Sequence, residues 1–336
     1  MKENKIEILD NIRGIACIIV LFAHIVASSP YIGVYANGCG KIGVWCFMVM
    51  SGFLSMYPYI SRKKDCTDYN SKSVITYYLK KIKTLYPAFL LALLLAMYTG
   101  LVPSAESFLM HLLCVESIGH FWYMPVIIKF YIIFPLFVVL YRLVKKSNLL
   151  YGIWVSIILL ALGVIFPFER CAENSNQLRW YVPVFCMGIL LALIYDALKD
   201  KLSEMLIFDV TSILFVVGIM IFTPYFRQVI WDIQPGSWLQ NKYILMGALW
   251  CGVIFSLAFS KVFKNVLIKS KIFAWISTIS YELYLIHFTV LLKLNLLISD
   301  MTIKAILVIV ISVVLSILLH SSIGWCDNTI KKLAKK

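Results

Sequence analysis

Apolar residues run along this chain in ten long stretches separated by short polar segments. The stretches cover residues 12–29, 38–57, 86–101, 121–141, 151–167, 181–195, 206–222, 243–259, 272–297 and 303–323. About 20 predominantly apolar residues carry a helix across the hydrocarbon core of a bilayer. A membrane β-barrel would show segments of about ten residues with alternating polarity, and the pattern here is continuous instead. Backbone groups in lipid must be satisfied within the segment, so these stretches predict helices. The expected fold is an all-α integral membrane protein of about ten transmembrane helices. Residues 86–101 and 181–195 are short for a span and 272–297 are long, which predicts tilt or a break. Residues 1–323 read as one membrane domain without internal repeats, and 324–336 as a short basic tail.

Charge gives the predicted helices a direction. Lysine and arginine concentrate in cytoplasmic loops. With the amino terminus inside, 23 of the 31 basic residues fall in inward segments, six fall outside, and Lys129 and Lys293 lie within spans. That alternation predicts an even number of spans, both termini in the cytoplasm, and a bacterial-type cytoplasmic membrane. Lys2, Lys5 and Arg13 ahead of an apolar stretch also resemble a leader peptide. An arginine and a histidine inside that stretch favour a first span. The net charge of +14, in a chain that is 61% hydrophobic and 14% charged, points to a membrane surface rather than nucleic acid. The nine cysteines form no CxxC pair and read as small core residues.

Ionisable groups at membrane depth are expensive and mark function by default. The spans contain His24, Lys129, Glu282, His287, Lys293 and His320, with Arg13 at the start of the first. At 1.5 Å per residue, His24 lies about 16 Å beyond Arg13, Glu282 about 15 Å and His287 about 22 Å into the ninth span, and Lys129 about 12 Å into the fourth. His24, Lys129, Glu282 and His287 can therefore meet at similar depth. Lys129 with Glu282 reads equally as a register-fixing ion pair, Lys293 as a snorkelling residue, and His320 as a packing residue near the inner face. The five histidines lack metal-ligand spacing. There is no GxSxG elbow, HExxH helix or P-loop.

Several segments match a known pattern in order. Arg13 and His24 are separated by ten residues. Residues 47–53 read FMVMSGF and include Ser51. Lys80, Lys81 and Lys83 precede Tyr86-Pro87. Gly119-His120-Phe121-Trp122-Tyr123 is followed by Lys129-Phe130-Tyr131 and Pro135-Leu136, and residues 280–287 read SYELYLIH. Together they resemble the integral-membrane acyltransferase 3 family across nearly the whole chain. One departure is Thr84, which stands where the family commonly has the second arginine of R-x-x-R. Lysine supplies positive charge there without the planar fork of arginine.

The resemblance implies a membrane O-acyltransferase, expected to be an O-acetyltransferase. It would move an acyl group from cytoplasmic acetyl-CoA or another acyl-CoA to a hydroxyl of a surface glycan or its lipid-linked precursor. No permanently bound cofactor or metal is expected. His24 is the expected base or transient acyl carrier, and Arg13 its partner or a donor-binding cation. Lys80, Lys81 and Lys83 would meet the phosphates. Ser51, Trp122 and Tyr123 are candidate oxyanion donors, and His120, Lys129, Glu282 and His287 candidate support. A secondary transporter using the intramembrane His, Glu and Lys residues, or a non-catalytic sensing module, are the competing readings.

Overall fold

The computed structural model describes residues 6–36, 38–61, 69–144, 147–165, 176–221, 223, 226, 230–232 and 243–333. The described chain is helical, with a single isolated bridge between Met205 and Ser260 and no strand among the described residues. In order the helices are α1 (Glu7–Ala27), α2 (Gly33–Ala36), α3 (Gly40–Ile60), α4 (Ser71–Tyr98), α5 (Ala105–Leu112), α6 (Tyr123–Leu143) and α7 (Asn148–Ile165). They continue as α8 (Val182–Leu198), α9 (Leu206–Ile221), α10 (Tyr243–Phe259), α11 (Phe263–Ser270), α12 (Ile272–Thr278), α13 (Ser280–Leu297) and α14 (Met301–Leu333). Short 3₁₀ turns at Gly119–Trp122 and Leu178–Trp180 lead into α6 and α8. Among the loop cations and cysteines, Lys2, Lys5, Arg62, Lys63, Lys64, Cys66, Lys145, Lys146, Arg170, Cys171, Arg227, Lys242, Lys335 and Lys336 lie outside the described residues.

Among the described residues, nine of the apolar stretches fall mainly on one helix each and the ninth in order, 272–297, on two. Five segments are long and apolar enough to cross a membrane among the described residues: α1, α3, α4, α6 with its preceding turn, and α14. A bent pair, α12 and α13, makes a sixth. Helices α8, α9 and α10, of 17, 16 and 17 residues, extend at most about 26 Å at 1.5 Å per residue, slightly less than the hydrocarbon core.

Two boundaries depart from the hydropathy pattern for identifiable reasons. Helix α4 begins at Ser71, well before the apolar run at 86. Lys72, Lys80, Lys81 and Lys83 hide this half from a hydropathy pattern, yet lysine is a good helix former. The Asn70 side chain caps the start by accepting from the Ser73 amide at 3.1 Å. The long stretch at 272–297 is broken, with α12 and α13 meeting at 78°. At the break the Ser280 hydroxyl donates to the Ser277 carbonyl and the Thr278 hydroxyl to that of Trp275. Side-chain hydroxyls thus use carbonyls that a continuous ladder would give to amides. Helix α14 continues past the apolar run to Leu333, so most of the basic tail is helical.

Helix α1 is central: it packs on α3, α10, α11, α12 and α13, while α13 also lies against α4 and α14. The most extensive pairing is α3 with α8. It depends on two glycines, since a first side-chain carbon at Gly52 would run into the Phe185 carbonyl and one at Gly188 into the Val49 carbonyl. Small residues permit this backbone approach where lipid offers no hydrophobic drive between helices. Gly14 does the same for α1, where a side chain would collide with the Phe273 carbonyl of α12. Asp209, in the first turn of α9 and 6% exposed, accepts from the Ser260 hydroxyl at 2.5 Å and from the amides of Lys261, Val262 and Phe263. It thereby ties α9 to the start of α11, a role the hydropathy pattern did not reveal.

Candidate active site

Arg13 and His24 are eleven positions apart on α1. At 3.6 residues per turn this is close to three turns, so both project from similar faces about 16 Å apart. The tertiary structure gives each its own cavity.

His24 lines a cavity of about 310 Å³ at the carboxyl end of α1, together with Gly38, Gly40, Lys41, His120, Trp122, Tyr284, Phe288 and Asn295. His24 Nδ1 lies 2.8 Å from His287 Nε2, with the two rings side by side, 19° from coplanar and 5.1 Å between centroids. His287 is 1% exposed, and its Nδ1 lies 2.9 Å from the Leu283 carbonyl oxygen. His120 joins as a third ring, 5.5 Å from His287, and its Nε2 lies 2.8 Å from the Leu285 carbonyl. Phe288 stands edge-on to His24 at 5.1 Å. The other His24 nitrogen, Nε2, looks past Gly40: a side chain at position 40 would bring its first carbon within 3.0 Å of it.

Arg13 lines a larger cavity of about 850 Å³, toward the amino end of α1, with Ser51, Lys80, Lys83, Thr84, Tyr123, Glu282, Tyr284 and His320. Here His320 Nδ1 and Glu282 Oε1 are 2.9 Å apart. Lys81 points elsewhere, with its ammonium 3.5 Å from the centre of the Tyr131 ring, the geometry of a cation–π contact. Tyr284 lines both cavities, and its hydroxyl donates to the His120 carbonyl. One side chain therefore belongs to the wall between the histidine cavity and the basic cavity.

Residues 6–321 match the acyltransferase 3 family, described as an acyltransferase domain. This chain belongs to the acyltransferase 3 family. No curated protein and no solved structure matches the chain. Its apolar helices and its family make it a multi-pass membrane protein.

In this acyltransferase 3 member the structure sorts the residues singled out from sequence into two groups. His24, His120, Trp122 and His287 gather at the histidine cavity or its wall, and Arg13, Ser51, Lys80, Lys83, Tyr123 and Glu282 at the basic cavity. Lys129 joins neither group. Its ammonium donates to the Asn176 carbonyl at 3.2 Å, and Glu282 pairs with His320 rather than with Lys129. The expected meeting of four ionisable groups thus reduces to His24 with His287. The break before α13 bears on Glu282, because depth counted from residue 272 assumes one straight helix. His320, read from sequence as a packing residue, lines the basic cavity, and Tyr284 was not singled out at all. Tyr284 carried a signal only through its place in the SYELYLIH segment.

Proposed function

We propose that this chain is a ten-span membrane O-acyltransferase with both termini in the cytoplasm. It would use acyl-CoA, with acetyl-CoA the expected donor, to acylate a hydroxyl of a surface glycan or lipid-linked sugar. The observation that carries this reading is the pair of cavities sharing Tyr284, one lined by Arg13, Lys80 and Lys83 and the other by His24. The shorter helices α7 to α10 count as spans in this reading. The excess of basic residues in inward segments then sets the basic cavity toward the cytoplasm.

In the proposed reaction the phosphates of the donor sit against Arg13, Lys80 and Lys83, cations suited to charge-assisted hydrogen bonds. The thioester at the tip of the flexible arm reaches past Tyr284 toward His24. The acceptor hydroxyl enters from the histidine cavity. His24 takes its proton as the oxygen attacks the thioester carbonyl. Collapse of the tetrahedral intermediate breaks the carbon–sulfur bond, and the departing thiolate recovers the proton from His24. The products are an ester and free coenzyme A. Trp122, from the histidine cavity, and Ser51 and Tyr123, from the basic cavity, are the side chains from which a donor to the intermediate's oxyanion would come.

The test uses membranes from cells expressing the chain or its His24→Ala variant, supplied with radiolabelled acetyl-CoA. Label is expected in a lipid-linked or polysaccharide fraction with the wild type and at background with the variant. Undiminished labelling by a well-inserted His24→Ala protein would sink the assignment of His24. Failure of the wild type with several acyl donors would shift the reading to transport.

A further inference from the structure

The proposed base has two ring nitrogens, and only an unprotonated Nε2 facing the cavity can take a proton. Which nitrogen carries the hydrogen is set by what the other touches. The sequence of contacts behind His24 decides it. The Leu283 carbonyl, 2.9 Å from His287 Nδ1, has no proton to offer, so His287 Nδ1 must donate. The neutral His287 ring then presents a lone pair at Nε2. His24 Nδ1, 2.8 Å away, must therefore carry a hydrogen and donate it. That leaves the lone pair of neutral His24 on Nε2, the nitrogen beside Gly40.

We infer that His287 is a positioning residue that locks His24 in the Nδ1–H tautomer, with its basic Nε2 turned to the acceptor. This rests on the reading of His24 as the base. The arrangement has the logic of a base oriented by a third group, with a buried imidazole in place of the usual carboxylate. Helix α13 supplies both halves of the lock, because residue 283 lies one turn before His287 and its carbonyl fixes the ring from behind. Gly40 lies over the face of the ring at Nε2, and a side chain there would press on that face. The in-line hydrogen bond to the near-coplanar His287 ring and the edge of Phe288 hold the plane of the His24 ring.

The experiment compares His287→Phe, His287→Gln and His287→Asn with wild type and His24→Ala. Initial rates of label transfer from acetyl-CoA are measured in membranes over a range of donor concentrations, normalised to inserted protein, with thermal stability in detergent as a control. Glutamine places its carbonyl oxygen near the site of the lost Nε2 and can accept from His24. Asparagine is equally polar but one carbon shorter. The expected result is a fall in maximal rate on the order of 10²- to 10³-fold for His287→Phe and His287→Asn, with the acetyl-CoA KM within about twofold of wild type. Misorientation of a catalytic base costs up to about 10⁴-fold in a comparable arrangement. His287→Gln should recover at least about tenfold over His287→Asn. Equal rates for the Gln and Asn variants would overturn the inference even if His287→Phe failed to fold. Wild-type rates in His287→Phe alongside an inactive His24→Ala would overturn it while leaving His24 as the base. An active His24→Ala would instead remove the reading beneath it.

Discussion

At the residue scale the chemistry turns on access to one nitrogen. Gly40 opens α3, and its missing side chain leaves His24 Nε2 uncovered. In a Gly40→Ala variant, alanine is the better helix former in a helix interior, but Gly40 is the first residue of α3, where that gain is small. The added methyl would stand 3.0 Å from Nε2 over the face of the His24 ring, so the ring has to shift from its contact with His287. The expected outcome is a little-changed melting temperature with transfer reduced on the order of ten- to a hundredfold, measured on the same detergent-purified protein. A matching loss of stability and activity would mean that the glycine serves packing instead. Arg13, on the same helix, has a different partner environment: the basic cavity, not His24, receives it.

At the element scale, two helices are shaped by features that hydropathy does not weigh. The charged first half of α4 is a capped helix that carries Lys80 and Lys83 to the basic cavity and Lys81 onto Tyr131. Replacing Lys80 and Lys83 together with glutamine is expected to raise the acyl-CoA KM on the order of tenfold and to flatten its dependence on salt, as for a screened phosphate contact. Thr84 also lines this cavity. Thr84→Arg would add a bidentate phosphate partner and is expected to lower the same KM; both changes are read by varying acyl-CoA in the transfer assay. The contact of α3 with α8 makes a separate prediction. A methyl at Gly188 meets the Val49 carbonyl directly. Gly188→Ala is therefore expected to cost about 1–3 kcal/mol, the usual range for overpacking, seen as a lower melting temperature in detergent.

At the scale of the whole molecule, helix α1 contributes to two chambers, His24 lining one and Arg13 the other. Charged donor and sugar acceptor approach from opposite faces in the proposed topology, and Tyr284 lines the cavity proposed for each. Side-specific labelling tests that topology. In a chain whose own cysteines have been replaced, a cysteine at Ser28, which lines the histidine cavity, should react with an impermeant maleimide added outside intact cells. A cysteine at Thr84 should react only in inverted vesicles. Labelling of both from the same side would rule out the two-faced arrangement.

The sequence alone determined the helical character and the position of every apolar stretch, because lipid leaves the backbone few alternatives and the apolar runs are long. It also carried the family, since the motif residues sit in order from Arg13 to His287. It singled out His24 and His287, because ionisable groups at membrane depth are costly. The length of 272–297 already predicted tilt or a break, but the position and 78° angle of that break, the early start of α4 and the contact of His24 with His287 required the tertiary structure. Those features depend on hydroxyls and caps that satisfy single backbone groups, and on helix faces meeting through glycine. Hydropathy averages over a window and does not register either. The same holds for Glu282, whose partner was decided between Lys129 and His320 by the direction α13 takes after the break rather than by its distance along the chain.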